Sequence, residues 1–232
     1  MPAFEAAVEA GAEWLEMDVH RTADGKLIVF HDSTTRRIAG EPGYIWRKDF
    51  ARIRSLDAGA WFGQPFTGTR IPTLEEVFAR IPSHIHLDIE LKYASIRKQH
   101  AADVGSKLQA LCERYERTGR ILASSFSKQI LTKIPRLAGA IEIGAIYHGS
   151  FSQSQVLREM ERIGASWFIH NIRTMSASQL LKIKEAGHTT AVFTVNSERW
   201  VDHAVRCGVD YIITNEVEAV KEIIARKYGS DR

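Results

Sequence analysis

The chain has 232 residues, of which 44% are hydrophobic and 25% charged, with a formal net charge of +3. This composition excludes a disordered or low-complexity chain, and the weak, scattered positive charge argues against nucleic acid as a partner. It contains no apolar run long enough for membrane insertion and no basic leader typical of secretion, so we expect a cytoplasmic protein. Its two cysteines are expected to be reduced thiols.

The beginning of the chain predicts a helix followed by a β-hairpin. Residues 1–12 place their apolar side chains on one helical face, and residues 14–19 alternate as a strand. A turn at Asp24 and Gly25 leads into a second strand at 27–31, which we expect to pair with the first.

A long segment and a capped helix come next. Residues 33–71 are rich in glycine and aromatic residues and predict an irregular loop, and a loop of this length within a compact domain is usually functional. The Thr73 hydroxyl and the Glu76 carboxylate then match a capping box, which predicts a helix beginning there.

The remainder of the chain alternates between strands and helices, which indicates a parallel sheet with helices outside it. Strands are predicted at 85–91, 121–124, 141–147, 167–170, 189–194 and 210–214. Helices are predicted at 96–117, 127–137, 153–163, 176–186, 198–207 and 217–228.

The number of predicted strands favours a barrel, although the number alone does not exclude an open doubly wound sheet. With residues 14–19 there are seven parallel strands, one short of a (β/α)₈ barrel, and the segment 27–31 is an antiparallel addition. We predict an α/β fold, a TIM barrel without its first strand and with a small hairpin and loop insertion. No composition shift divides the chain, so we expect a single domain over residues 1–232.

Charged side chains gather at the C-terminal ends of the predicted strands, where barrel enzymes place their active sites. Glu16 and Asp18 lie two residues apart on one face of the first strand, and Glu90 stands in the same position two residues before Lys92. Three carboxylates without a nearby thiol favour Mg²⁺ or Ca²⁺. His31 can carry a proton near neutral pH, and Lys92 can compensate an anionic oxygen. Together they indicate metal-assisted chemistry on a phosphate ester.

Plainer interpretations stay open for these residues. The acids at positions 16 and 18 could be solvated strand ends, Glu90 and Lys92 could form an interior ion pair, and the histidine could cap a turn. A metal-dependent amidohydrolase is a rival class, because His84 and His86 form a His-x-His pair and His148 and His170 follow later strands. The pair begins its strand, however, and therefore faces the closed end of the barrel.

Short motifs along nearly the whole chain resemble the glycerophosphodiester phosphodiesterase family. In the family's order, the matching segments are Leu15-Glu16-Met17-Asp18-Val19, Thr22-Ala23-Asp24-Gly25, Val29-Phe30-His31-Asp32, Leu56-Asp57-Ala58-Gly59-Ala60-Trp61-Phe62, Ile71-Pro72-Thr73-Leu74-Glu75-Glu76-Val77, Ile89-Glu90-Leu91-Lys92, Ser124-Ser125-Phe126, Phe193-Thr194-Val195-Asn196 and Gly208-Val209-Asp210-Tyr211-Ile212-Ile213-Thr214-Asn215.

The resemblance implies a TIM barrel that hydrolyses glycerophosphodiesters to glycerol 3-phosphate and an alcohol. It implies Mg²⁺ or Ca²⁺ held by the three acids named above, with His31 as one of two catalytic histidines. It also implies that Lys92 acts close to the phosphate oxygens, in catalysis and in substrate binding. Residues 33–71 would lie over the active mouth, where Trp61 and Phe62 would contact the glycerol side of the substrate.

The sequence departs from the family pattern at its start. The family's first strand, with a His-Arg-Gly motif, has no counterpart, and Met1 aligns within the helix that follows. We therefore expect an N-terminally shortened enzyme with weak or no activity. A catalytically inactive metal-binding barrel and a related lipid phosphodiesterase of the phospholipase D type are the alternatives. The choice between Mg²⁺ and Ca²⁺, the alcohol and the oligomeric state stay open.

Overall fold

One continuous sheet of eight strands curls through the chain and forms the wall of a TIM-type α/β barrel. The computed structural model describes residues 1–134, 141–149 and 151–229. The strands are β1 (Trp14–Arg21), β2 (Leu27–Val29), β3 (His86–Leu91), β4 (Ile121–Ser125), β5 (Ile141–Tyr147), β6 (Trp167–Asn171), β7 (Thr189–Phe193) and β8 (Tyr211–Ile212). Their order is β2-β1-β3-β4-β5-β6-β7-β8, with β2 antiparallel to β1 and the other pairs parallel. The predicted set of seven parallel strands and one hairpin strand is confirmed, and no ladder joins β8 to β1 within the described residues.

Most helices alternate with the strands along the chain and cover the outside of the sheet. They are α1 (Pro2–Glu9), α2 (Arg36–Ala39), α3 (Phe50–Arg54), α4 (Leu74–Arg80), α5 (Ala101–Arg114), α6 (Lys128–Leu131), α7 (Gln153–Ile163), α8 (Ala177–Glu185), α9 (Glu198–Cys207) and α10 (Val217–Tyr228). None of the helices in the described segments is long and apolar enough to cross a bilayer.

Several helices are shorter than predicted, and local backbone geometry explains two of them. Helix α1 ends at Glu9 because Gly11 adopts a φ of +79°, which terminates the helix. Helix α5 begins at Ala101 because the preceding residues Lys98–His100 form a 3₁₀ turn. Helix α6 covers only four residues, and positions 135–137 of its predicted span lie outside the described residues.

The two faces of the sheet build two separate cores, because successive side chains of a strand point in opposite directions. Leu15 and Met17 face the helices and belong to the large outer cluster. Trp167 and Ile169 face inward and belong to a second cluster inside the barrel. Gly144 permits close packing there, since an added Cβ would lie 3.0 Å from Cδ1 of Ile169. The interior is therefore filled with side chains, and the strand ends are left to form a site.

Residues 33–71 form a small folded layer, where the sequence predicted an irregular loop. They contain helices α2 and α3 and two 3₁₀ turns at Ile45–Arg47 and Gln64–Phe66. Ile45 and Ile53 are fully buried and pack with Ile28, which ties this layer to strand β2. Helices of four or five residues carry too little periodicity to be recognised in a sequence, and tertiary packing stabilises them.

The predicted capping box at the start of α4 is confirmed, and we expect its loss to weaken the fold. The Glu76 amide donates to Thr73 Oγ1 at 3.1 Å, and the Thr73 amide donates to Glu76 Oε2 at 2.8 Å. We expect Thr73→Ala to lower the free energy of unfolding by about 1 kcal/mol and the thermal midpoint by roughly 2–4 °C. Circular dichroism melting measures both. Ser197→Ala is the matched control, because Ser197 precedes α9 without a side-chain capping bond; an equal loss in both variants would contradict this assignment.

Candidate active site

Two rows of carboxylates face each other across the neighbouring parallel strands β1 and β3. In the register of this pair, Glu16 lies opposite Asp88, and Asp18 lies opposite Glu90. All four occupy alternate positions on their strands and therefore point into the barrel. Like charges directly opposite each other destabilise a sheet. The arrangement consequently needs protons or a bound cation to be favourable.

Three of these acids converge at the C-terminal ends of the strands. One carboxylate oxygen each from Glu16, Asp18 and Glu90 lies within 4.8 Å of the other two. Lys92 contacts this group through its ammonium nitrogen, which lies 2.5 Å from Asp18 Oδ1 and 2.7 Å from Glu90 Oε1. A group of oxygen donors without a thiol has the chemistry of a Mg²⁺ or Ca²⁺ site, so these residues can hold a divalent cation.

The pKa shifts at this group follow from burial and from mutual repulsion. Burial raises the pKa of the Glu16 carboxyl well above its usual value, and the neighbouring acids, Asp18 first, raise it further. Burial also raises the pKa of Glu90, although Lys92 opposes the rise. Burial alone would lower the pKa of Lys92, but Asp18 and Glu90 together raise it. Lys92 therefore stays charged and is the cation that these carboxylates already share.

Asp88 belongs to the same rows and was not among the predicted site residues. Its side chain is buried deeper in the barrel, where it accepts a hydrogen bond of 2.6 Å from the Ser124 hydroxyl. Burial raises the pKa of this carboxyl to about 7, against the lowering effect of Ser124. The alternation of positions 86, 88 and 90 was the signal that would have placed Asp88 on the inner face.

We expect Asp88 to make the stability of the fold depend on pH. Its pKa is about 7 in the folded chain and about 4 in the unfolded one, so the folded state binds the proton more tightly. Stability from this group is therefore present below about pH 4 and is lost as the pH rises towards 7. Asp88→Asn should raise stability near pH 8 by up to about 4 kcal/mol, and change it little near pH 4.

Thermal melting in a chelating buffer at both pH values measures this difference. Asp49→Asn is the control, because Asp49 is exposed and makes no capping bond to helix α3. A stabilisation of Asp88→Asn that is equal at the two pH values would show that the carboxyl does not hold its proton in the folded state.

His31 lies just beyond the end of β2 and is held by charged neighbours. Its side chain is 72% exposed, and its Nδ1 lies 2.8 Å from Asp32 Oδ1. Asp32 in turn accepts two hydrogen bonds from Arg37, one from Nε at 2.7 Å and one from Nη2 at 2.9 Å. The bonds from Arg37 lower the pKa of the Asp32 carboxyl to about 2. Neither Asp32 nor Arg37 was among the predicted site residues, and only the adjacency of Asp32 to His31 hinted at a role.

A buried histidine connects the segment of His31 with that of Lys92. His20 is fully buried, with Nδ1 2.7 Å from Ser95 Oγ and Nε2 3.3 Å from the carbonyl oxygen of His31. Burial lowers the pKa of His20 to about 4, so its ring is neutral near neutral pH. Ser95 lies in the turn after Lys92 and contacts its carbonyl oxygen. His20 therefore supports the backbone at both of these predicted site residues.

Trp61 and Phe62 stand at the tip of an ordered turn in the layer 33–71. Their side chains are 50% and 69% exposed, and their rings meet edge to face with centroids 5.6 Å apart. Asp57 fixes the turn, because its carboxylate accepts hydrogen bonds from the amides of Gly59, Ala60 and Gly68. The structure connects Trp61 to His31 indirectly, since the Arg37 guanidinium carbon lies 5.0 Å from the centroid of the Trp61 ring.

Two histidines of the amidohydrolase alternative, His86 and His170, take other positions. His86 begins β3 and stacks on Trp14 at 4.4 Å, which is the end of the strand opposite to Glu90. His170 is fully buried, and its two ring nitrogens face the carbonyl oxygens of Asn171 and Gly149. The described structure therefore gives these side chains packing roles, away from the converging acids.

The chain is similar to known proteins over nearly its whole length. The model of the glycerophosphoryl diester phosphodiesterase family matches residues 1–219. A glycerophosphodiester phosphodiesterase from Caldanaerobacter subterraneus is 33% identical over 232 residues, which cover 98% of this chain and 91% of the relative. One from Bacillus subtilis is 27% identical, and the alignment covers 91% of this chain and 76% of the relative.

A solved structure agrees with the sequence relatives. The phosphodiesterase of Oleispira antarctica, in complex with its product sn-glycerol-3-phosphate, superposes with a TM-score of 0.85 at 25% identity. The match covers 95% of this chain and 88% of that protein. These similarities confirm the resemblance that the sequence motifs indicated.

Proposed function

The chain belongs to the glycerophosphoryl diester phosphodiesterase family, and on this basis we propose that it hydrolyses glycerophosphodiesters to sn-glycerol 3-phosphate and an alcohol. The observation that carries the proposal is the convergence of Glu16, Asp18 and Glu90 beside Lys92 at the strand ends. Glycerol 3-phosphate is the product bound to the similar Oleispira enzyme, which supports recognition of the same half of the substrate here.

The three acids are the residues that would hold a divalent cation, Mg²⁺ or Ca²⁺. The bound ion would supply positive charge that stabilises the phosphoryl oxygens as the diester is cleaved. The donor set fits either ion, because both prefer carboxylate oxygens. The mutual repulsion of the acids favours binding, since it is relieved when a cation enters.

Two side chains would act on the reacting ester directly. The Lys92 ammonium would offset the negative charge on a phosphate oxygen, in a place where it is already oriented by Asp18 and Glu90. His31 would transfer a proton through Nε2, because its Nδ1 faces Asp32. In hydrolysis a water oxygen bonds to phosphorus as the P–O bond to the alcohol breaks. The proton from His31 goes to the departing alkoxide, which leaves as the alcohol, and the attacking water loses a proton to solvent.

The exposed aromatic turn would contact the glycerol half of the substrate. Trp61 and Phe62 offer flat apolar surfaces to the carbon atoms of glycerol, while their turn is held by backbone bonds to Asp57. We infer that residues 1–232 work as one barrel domain with the layer 33–71 over its mouth, because the same layer contacts both β2 and the segment after His31.

Hydrolysis of glycerophosphocholine tests the proposal. We expect the purified chain to release glycerol 3-phosphate, measured with a coupled dehydrogenase, in the presence of Mg²⁺ or Ca²⁺, and to stop when EDTA is added. The sequence also predicts weak or no activity for this chain, and the rate of product release in the same assay tests that prediction. Release unaffected by EDTA would contradict the role of the cation.

The assay also separates the alternatives. A metal-binding barrel without activity would bind the cation in calorimetry and release no product from any glycerophosphodiester. A lipid phosphodiesterase of the phospholipase D type would act on lysophosphatidylcholine and release choline, with little action on glycerophosphocholine.

A further inference from the structure

We infer that Arg37 is a positioning residue for His31, which it orients through the carboxylate of Asp32. The inference rests on the proposed function, because it concerns the proton that His31 would transfer. It adds to the site a residue on helix α2 of the layer 33–71, which lies in a different segment of the chain from the converging acids.

Arg37, Asp32 and His31 form a continuous chain of side-chain hydrogen bonds. The Arg37 guanidinium donates to both carboxylate oxygens of Asp32, in the bidentate arrangement that restrains the carboxylate plane. The oxygen that receives Arg37 Nη2 is also the one that lies 2.8 Å from His31 Nδ1. Fixing the Asp32 carboxylate therefore fixes the direction of the imidazole.

This restraint has a specific consequence for proton transfer. A carboxylate with a pKa of about 2 only accepts hydrogen bonds near neutral pH, so His31 Nδ1 must carry its hydrogen. The tautomer is thereby set, and Nε2 is the ring nitrogen left to give or take a proton. Because the His31 side chain is 72% exposed, no packing would hold the ring if this chain of bonds were lost.

The Arg37 guanidinium also contacts the aromatic turn that carries Trp61. The guanidinium lies over the ring of Trp61, with 5.0 Å between the guanidinium carbon and the ring centroid, a distance at which a cation is attracted to an aromatic face. Trp61 is itself anchored, because its Nε1 donates to the carbonyl oxygen of Ala58 at 3.0 Å. The orientation of His31 therefore depends on the folded layer 33–71, which is proposed to contact the substrate.

An ordinary surface ion pair is the competing explanation for Arg37 and Asp32. Exposed pairs of this kind contribute little to stability, and the Arg37 side chain is 54% exposed. A surface pair and a positioning residue therefore both predict a variant that folds normally. They differ in the kinetics of the variant, which is where the test is made.

The decisive experiment compares Arg37→Ala, Arg37→Lys and the control Arg36→Ala. Arg36 is the exposed neighbour on the same helix and makes no ion pair within the described residues. We expect Arg37→Ala to lower kcat for glycerophosphocholine by about tenfold to a hundredfold, a part of the 10²–10⁴ typical of acid–base catalysis. KM should change little. Arg37→Lys should recover only part of the loss, because an ammonium cannot bind the carboxylate in two places. Arg36→Ala should behave as the parent.

Two further measurements separate positioning from a structural role. Added guanidinium chloride at millimolar concentration should raise kcat of Arg37→Ala. Combining Arg37→Ala with His31→Ala should cost no more than His31→Ala alone, since both act on the same step. Additive losses in the double variant, or an unchanged kcat in Arg37→Ala while His31→Ala is impaired, would overturn the inference and leave the proposed function standing. Normal turnover in His31→Ala would instead show that the assigned role of His31 is wrong.

Discussion

Neutralising any one of the three converging carboxylates is expected to remove most of the activity. We expect Glu16→Gln, Asp18→Asn and Glu90→Gln each to lower kcat/KM for glycerophosphocholine by at least about 10³-fold, because a cation at a phosphoryl centre contributes several kcal/mol. Each variant keeps the shape of the side chain and removes one anionic ligand. Calorimetric titration with Mg²⁺ and with Ca²⁺ should show correspondingly weaker binding.

Glu16→Gln should be more stable than the parent when no cation is present. Glu16, unlike Asp18 and Glu90, forms no ion pair with Lys92 in the described structure, so its neutralisation only relieves repulsion from the neighbouring acids. A melting curve in EDTA that moves upward therefore separates loss of function from loss of folding. Glu13→Gln is the control, because Glu13 is exposed just before β1. Unchanged cation affinity in all three variants would rule out these acids as the ligands.

Removal of the His31 imidazole is expected to have the second-largest effect. We expect His31→Ala to lower kcat for glycerophosphocholine by about 10²–10⁴-fold, the range for loss of a general acid or base. The thermal midpoint should stay close to that of the parent, because the side chain is largely exposed and no core packing is lost. Steady-state kinetics and melting of the same preparation measure both.

The chemistry of the leaving group shows which proton His31 moves. A choline alkoxide needs a proton to depart, whereas a p-nitrophenolate does not. The deficit of His31→Ala should therefore shrink on glycerophospho-p-nitrophenol if His31 protonates the leaving group. His84→Ala, at an exposed histidine before β3, controls for the loss of an imidazole. A variant with parent-like kcat on the choline ester would end the assignment.

The framework of this site could be predicted because it follows from strand periodicity. The two-residue spacing placed Glu16 and Asp18 on one face of their strand and Glu90 with Lys92 on one face of another, and the barrel topology brings the ends of these strands together. The capping box at Thr73 was equally accessible, since its two bonds join residues three positions apart. Such features depend on local spacing or on a single topological rule.

The features that were not predicted depend on contacts between distant segments, and the sequence alone does not show which segments meet. Arg37 is one of many basic residues, and only the fold of the layer 33–71 shows that it binds Asp32 in two places and lies over Trp61. His170 lies at the C-terminal end of a strand as an active-site residue would, yet its ring is turned towards backbone carbonyls. Distinguishing such cases needs the direction of the side chain as well as the position of its residue.

The backbone of the turn that carries Trp61 and Phe62 is held by polar groups other than the Phe62 ring. Asp57 binds three backbone amides, and Gly59 passes so close to the Phe66 carbonyl that an added Cβ would lie 1.8 Å from its oxygen. The backbone of the turn therefore keeps its course when the exposed ring of Phe62 is replaced. Descendants of this sequence could diversify at Phe62 without first evolving a new loop, and a library limited to that one codon would sample recognition of the glycerol half on a constant scaffold.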